Sequence, residues 1–238
     1  MKEISLILTT YNEENFIRVT LVQIFKILKN PEVIIVDDNS KDRTVKIIKE
    51  FKKKNKKKNI KLISRTKAKG LASAFMVGVY NANFKYVGWL DSNMSYVLKL
   101  FPFMKKKLDK NYDLVLLSRY ISSGKDNRSA LRVFCSLILN KFCQFYLTNK
   151  IKDFSSGMFL MKRSMLNEIV PLGYGYGEFF IEFIYKLSKA NFKILEFPYT
   201  QHPDKIPGNS KTSPNILQFF KLCILYFLRV ILSKIRSH

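Results

Sequence analysis

The sequence predicts an α/β fold with a mostly parallel central sheet flanked by helices. Three observations predict it. Short runs rich in Ile, Val and Leu recur along the first half of the chain, stretches of helical period separate them, and the runs are apolar throughout, as in strands buried on both faces. Ile4 to Thr10 reads as the first strand. Asn12 to Lys29 follows as an amphipathic helix with Phe16, Ile17, Leu21, Ile24, Phe25 and Leu28 inward. Glu32 to Asp37 is the second strand, and Asp42 to Lys54 the second helix, with acids near its start and lysines near its end as the helix dipole favours. Ile60 to Ser64, Lys85 to Asp91 and Tyr112 to Ser118 are further strands, separated by helices near Leu71 to Asn81 and Leu98 to Lys110; Leu131 to Leu147 is another apolar helical pattern. With no Gly- or Pro-rich linker and no internal repeat, residues 1–213 are expected to form one domain and 214–238 a C-terminal helical extension.

The 238 residues are 47% hydrophobic, enough for a sizeable core, and carry a formal charge of +24. Such a charge attracts polyanions, whether nucleic acid, an anionic membrane or phosphorylated small molecules, although lysine runs such as Lys52 to Lys54 and Lys56 to Lys58 also suit a solvated surface. The basic residues are not interleaved with a recognition helix or an aromatic platform, so no nucleic-acid partner is expected. Three cysteines without paired spacing, and only His202 and His238 as histidines, argue against a zinc site or histidine catalysis. No signal sequence is read ahead of the first strand, so the reducing cytosol or its membrane face is the expected compartment.

In parallel sheets ligands bind beyond the carboxyl ends of the strands. Those ends carry Thr9 to Glu13, Asp37 to Ser40, Arg65 to Gly70, Asp91 to Asn93 and Ser118 to Tyr120. Asp37 to Ser40 fits an ordinary turn that caps the next helix as readily as a ligand site. Arg65 to Gly70 fits a basic turn or, with Lys69 and the glycine at a helix start, phosphate capture. Asp91 is harder to assign to a turn alone, because a carboxylate at the end of "YVGWL" loses hydration unless charge compensates, and a divalent cation on a diphosphate would do so.

Several segments in order, "LTTYNEEN", "VDDNSKDRT", "KAKGLASAFMVG", "WLDSNMS", "SRYISSG", "DFSSGMFLMKR", "EFFIEFIYKLSKANFKILEFPYTQ" and "GNSK", resemble the polyprenol-phosphate (dolichol-phosphate) mannose synthase branch of glycosyltransferase family 2. The resemblance implies a GT-A nucleotide-diphospho-sugar transferase fold, an inverting transfer and a Mg2+ or Mn2+ ion. It implies that Tyr11, Glu13 and Asp38 line the nucleotide pocket, and that Asp91 and Asn93 stand at the metal and diphosphate. Arg119, Arg132, Ser210 and Lys211 would hold donor or acceptor phosphates, with Asp91, Arg119 and Arg132 carrying the catalysis. The chain departs from the family pattern at Asn93, where a second Asp is usual; an amide oxygen still ligates a hard cation, with less attraction. Met158-Phe159 replaces a Phe-Arg pair, Ser95 stands where Gln or Ser is common, and Lys205 replaces a planar arginine fork.

Transfer to an alcohol needs a base, whereas a phosphomonoester is already largely ionised at neutral pH. A chain rich in Lys and Arg and poor in His suits the second acceptor. The expected donors are GDP-mannose or UDP-glucose, and the expected acceptor a polyprenyl (dolichyl or undecaprenyl) phosphate. A family member acting on a saccharide or glycolipid hydroxyl would need a base, for which Asp153 and Glu182 are the candidates, and a noncatalytic sugar-nucleotide binder is the third reading.

In the tail, Ile216 to Ile235, the longest uncharged run is Leu222 to Leu228, far short of the ~20 residues of a span. On a wheel Gln218, Lys221, Arg229, Ser233 and Arg236 share one side, with Leu225 and Leu232 intruding. That fits a helix lying in a membrane interface, and equally a last helix packed on the domain. Cys135 and Cys143 are expected to be buried inert thiols.

Overall fold

A computed structural model of the chain describes residues 3–67, 70–203 and 215–237. The strands are β1 (Ile4–Thr10), β2 (Glu32–Asp37), β3 (Asn59–Ser64), β4 (Tyr86–Trp89), β5 (Leu114–Ser118), β6 (Lys125–Asp126), β7 (Phe159–Lys162), β8 (Ile194–Pro198) and β9 (Thr200–Gln201). The α-helices are α1 (Ile17–Ile27), α2 (Thr44–Lys54), α3 (Leu71–Tyr80), α4 (Phe101–Lys110), α5 (Ala130–Tyr146), α6 (Phe179–Lys189) and α7 (Ile216–Ile235). Seven strands form one sheet in the order β3-β2-β1-β4-β7-β5-β8, and β6 pairs with β9 beside it. All pairs are parallel except those of β7, which runs antiparallel between β4 and β5. The mostly parallel sheet expected from the apolar runs is therefore present, with one inverted strand that the sequence pattern did not announce.

Both sheet faces are covered. Leu6 and Leu8 of β1, Val33 and Ile35 of β2 and Leu160 of β7 pack on the side of α1, α2 and α4. Ile7, Ile34, Val36, Leu116 and Phe159 point the other way, into a core shared with α3, α5 and α6. Successive strand residues thus go to opposite cores, and this is why the runs read as apolar without alternation.

Two boundaries differ from expectation for local reasons. The first helix begins at Ile17, not Asn12, because Asn12 adopts a left-handed conformation (φ 54°) and the Asn12 to Glu14 amides bond to the loop after β2. The helix expected from Leu98 starts as a 3-10 turn, Ser95–Leu100, and becomes α-helical at Phe101 with Pro102 in the first turn, where its missing N–H costs nothing.

Candidate active site

The chain runs from β1 outward to β2 and β3 and then returns to β4 on the other side of β1, so the strand order reverses between β1 and β4. A cleft of about 1040 Å3 opens there, at the carboxyl ends of the strands. Because β7 is inverted, the loop that leads into it, Ser155 to Met158, also reaches this edge and lines the cleft.

The first wall is the loop after β1. Asn12 N–H donates to Ser40 Oγ at 2.9 Å, Lys41 N–H to Asn12 Oδ1 at 2.8 Å, and Glu13 N–H to Thr44 Oγ1 at 2.7 Å. This lacing holds Tyr11 and Glu13 along the cleft. Asp38 faces them, fixed by Arg65 Nε at 2.6 Å and by the Gly70 amide at 2.8 Å. Arg65 also donates to Ser73 Oγ and the Gly70 carbonyl, so its guanidinium braces the turn. Asp37 is fully buried and bonded to Thr10 and Ser40, a turn-building role.

The floor is aromatic. Trp89 packs on Phe75 and Phe179, with ring centroids 5.0 and 5.7 Å apart. Trp89 Nε1 and Thr9 Oγ1 are buried without a hydrogen-bond partner among the described residues, and both residues line the cleft. Buried polar atoms left in this state at a cleft floor suit a polar ligand. Just past β4, Asp91 is exposed to the cleft and Asn93 stands beside it in sequence and in the same wall. No group of three or more His, Cys, Asp or Glu side chains capable of holding a metal occurs among the described residues. One carboxylate and one amide oxygen fit a hard cation of the Mg2+ type, which is commonly held by one or two carboxylates and completed by substrate phosphates and water.

The opposite wall is built on arginine. Arg119, buried, meets Asp153 through Nε at 2.8 Å and a terminal nitrogen at 2.7 Å, and donates to Ser155 Oγ at 2.7 Å. Burial disfavours its cation, but the Asp153 carboxylate prevails and lifts its pKa well above the usual value. Asp126 joins the pair at 3.4 Å and is gripped by Arg128 at 2.8 and 2.6 Å. Arg128, two residues before α5, and Arg132, in its first turn, both line the cleft.

The last wall is Gly173 to Gly177 with α7. Gly175 is left-handed (φ 99°), and a Cβ there would lie 2.2 Å from Glu178 Oε1. Glu178 accepts the Tyr176 amide at 2.8 Å and stands 3.8 Å from Arg229 of α7. Arg229 also reaches Glu182 at 3.4 Å and lies under the Tyr174 ring, 5.0 Å from its centroid. The Gly175 carbonyl accepts the Ala72 amide at 3.3 Å, which joins this loop to the start of α3.

The model of glycosyl transferase family 2 matches residues 5–170, a span that contains β1 through β7 and every strand end described above except those beyond β7. The chain belongs to glycosyl transferase family 2. It is 28% identical to a dolichol-phosphate mannosyltransferase of Pyrococcus furiosus over 83% of this chain and 56% of that protein. A dolichyl-phosphate beta-glucosyltransferase of Dictyostelium discoideum is also 28% identical, over 81% of this chain and 64% of that one. An uncharacterised protein of Methanocaldococcus jannaschii is 31% identical over 80% of this chain and 84% of its own length. The chain thus spans little more than half of the Pyrococcus relative. Among solved structures, glucosyl-3-phosphoglycerate synthase of Mycobacterium tuberculosis, crystallised with Mn2+ and UDP, superposes with a TM-score of 0.71 at 14% identity, over 98% of this chain and 80% of that one. That likeness establishes the GT-A fold.

For this family 2 member, seven residues singled out in the sequence, Tyr11, Glu13, Asp38, Asp91, Asn93, Arg119 and Arg132, all line the one cleft. Lys69, Ser210 and Lys211, and the variant position Lys205, lie outside the described residues. Arg119 lines the cleft with its guanidinium engaged by Asp153, Asp126 and Ser155, and Arg128 is likewise paired with Asp126. Asp153 and Glu182, the candidate bases, are buried in ion pairs and neither lines the cleft. Sequence reasoning missed Trp89, Arg128, Ser155, the Gly173 to Gly177 loop and Tyr226. The Arg128/Arg132 spacing and the Gly-Tyr-Gly-Tyr-Gly alternation were the available signals.

Proposed function

We propose that this family 2 chain transfers a hexose from a nucleoside-diphospho-sugar to a polyprenyl phosphate at a membrane surface. The observation that carries the reading is the composition of the cleft: Asp91 and Asn93 on one wall, Arg128 and Arg132 on another, and the two candidate bases withdrawn into buried ion pairs. An acceptor that arrives as an anion needs cations to guide it and no group to deprotonate it. The names of the Pyrococcus and Dictyostelium relatives support the same acceptor class.

Tyr11, Glu13 and Asp38 take the base and ribose, Asp38 held rigid by Arg65 and the Gly70 amide. Asp91 and Asn93 would hold Mg2+ or Mn2+, which would supply charge stabilisation for a nucleoside-diphosphate leaving group. Arg132, with Arg128 held beside it by Asp126, brings the acceptor phosphate toward the anomeric carbon on the face opposite the leaving group. Arg119 acts as a positioning residue, fixing the Ser155 loop through Asp153. Lys69, Ser210 and Lys211 remain proposed phosphate contacts, and GDP-mannose and UDP-glucose the donors to test.

The membrane assignment is supported by the surface beside the cleft. No helix among the described residues is long and apolar enough to cross a membrane. Yet α7 turns Arg229 and Ser233 inward and exposes Phe220, Ile224, Leu228 and Ile235, while α5, packed against it, exposes Phe134, Ile138 and Phe145. An apolar face of this kind on two adjacent helices at the mouth of a phosphate cleft suits a lipid surface, and we place the protein peripherally on the cytoplasmic face.

The test is transfer of label from GDP-mannose and UDP-glucose to a polyprenyl phosphate in vesicles, with Mg2+ or Mn2+. One donor should be turned over, and Asp91→Ala should lose at least about a hundred-fold in rate, the usual scale for removing a main electrostatic group. Undiminished turnover by the variant removes the metal assignment; no turnover of either donor removes the reading.

A further inference from the structure

The tail helix α7 contributes two side chains to the cleft, Leu222 and Tyr226. Tyr226 lies three residues before Arg229 and so shares its inward face. Arg229 is held by Glu182 of α6 and by Glu178 just before it, which fixes the rotation of α7 and therefore the direction of the phenol. The hydroxyl reaches the Gly173 to Gly177 loop so closely that a Cβ on Gly177 would lie 2.4 Å from Tyr226 Oη. Only glycine leaves room for the phenol there.

Tyr226 lines the cleft together with Asp91, Arg119 and Arg128. A phenol, whose ordinary pKa is about 10, is a proton donor at neutral pH. No described residue hydrogen-bonds to the Tyr226 hydroxyl. A fixed phenol donor in the cleft that Asp91, Arg119 and Arg128 also line matches an oxygen carrying partial negative charge.

We propose that Tyr226 is a ligand-contacting residue whose O–H donates to a phosphoryl oxygen of the substrate bound at Asp91, so that α7 is a wall of the active site. The proposal rests on the transferase reading and revises the division expected at residue 213, since the extension then belongs to the catalytic unit. The phosphoryl group belongs either to the donor diphosphate or to the acceptor monophosphate, and the experiment separates them.

In the full chain, Tyr226→Phe is compared with wild type by calorimetric titration of UDP and GDP with Mg2+, by steady-state kinetics in each substrate, and by thermal unfolding. A hydrogen bond to a charged oxygen predicts roughly ten-fold weaker binding with little change in Tm. Weaker nucleoside diphosphate binding assigns the contact to the donor; a raised KM for polyprenyl phosphate alone assigns it to the acceptor. Gly177→Ala, which displaces the phenol, should reproduce the same loss. Unchanged nucleotide affinity together with an unchanged acceptor KM overturns the proposal, as does a lower Tm with both constants intact. Should the wild type bind nucleotide and transfer to no polyprenyl phosphate, the functional reading falls while nucleotide affinity alone still decides the role of Tyr226.

Discussion

At the scale of single residues the cleft is defined by which charges are committed and which face a ligand. In the proposed metal site Asn93 would supply an amide oxygen where the resembled branch usually has a second carboxylate, so Asn93→Asp should tighten Mn2+ in the presence of nucleoside diphosphate by about ten-fold or more. A metal titration followed by calorimetry measures this, and unchanged affinity would take Asn93 out of the metal site. Asp126 is committed in a different way. Burial raises its pKa, but the Arg128 hydrogen bonds and the Arg119 charge outweigh that and hold it below the usual carboxylate value. A carboxylate depressed in the folded state contributes stability that is complete above its unfolded pKa of about 3.9 and is lost as pH falls through the folded value. Thermal unfolding should therefore drop steeply below about pH 4, and Asp126→Asn should flatten that drop while lowering Tm at neutral pH. Asp91 could be picked out from sequence because an acid after "YVGWL" contradicts its surroundings. Arg119 was placed at the cleft but not in its bonds, because nothing in a linear pattern says that Asp153, 34 residues on, returns to take it.

At the scale of elements the strands were legible and their neighbours less so. β1, β2 and β5 announce themselves by unbroken apolar runs, since both faces are buried. β7 does not: "FLMK" is short, and its inversion depends on pairing with β4 and β5, both distant in sequence. The polar positions read on the α7 wheel divide in the structure, Arg229 and Ser233 buried and Gln218, Lys221 and Arg236 exposed, and this was not readable because the buried acids that receive Arg229 sit on α6 and just before it. Arg229 and Glu182 are almost fully buried, and removing one partner of such a pair costs about 3–5 kcal/mol, mostly from the charge left behind. Arg229→Met should thus destabilise far more in denaturant titration than Arg236→Ala, whose side chain is 39% exposed and worth about 1 kcal/mol or less. Equal effects would mean that the ion cluster does not anchor α7. The thiols give an independent check. Cys143 is buried and its pKa is pushed up to about 12, as expected of an inert thiol, whereas Cys135 of α5 and Cys223 of α7 are only half-buried, and burial, with Cys135 next, raises the Cys223 thiol. A disulfide oxidant should couple Cys135 to Cys223 in the folded protein, visible as a mobility shift that Cys223→Ser abolishes.

At the scale of the whole molecule two features compete to explain how a protein of charge +24 meets its partners. One is the lysine cluster of Lys49, Lys52, Lys53, Lys56 and Lys58, and the other the apolar face of α5 and α7. Geometry separates them. The lysines gather where α2 ends and the chain enters β3, at the amino edge of the sheet, whereas the cleft lies at the carboxyl edge. The apolar face borders the cleft, because α5 starts with Arg132 in its lining and α7 contributes Leu222 and Tyr226. A membrane that presents an acceptor phosphate to Arg128 and Arg132 must therefore touch α5 and α7, and the lysines then point away, adding only screened attraction across a distance beyond the Debye length of about 8 Å. Co-sedimentation with vesicles containing anionic lipid should fall sharply for Phe134→Ser combined with Ile224→Ser, with nucleotide binding in solution preserved. Replacement of Lys52, Lys53 and Lys56 by Gln should change it by less than about three-fold at physiological salt, since each lysine near the surface is worth only about 1 kcal/mol and these are not near it. The reverse ranking would place the bilayer against the amino edge. The acceptor could not then be a lipid phosphate entering from the membrane, and the cleft would have to be served from solution.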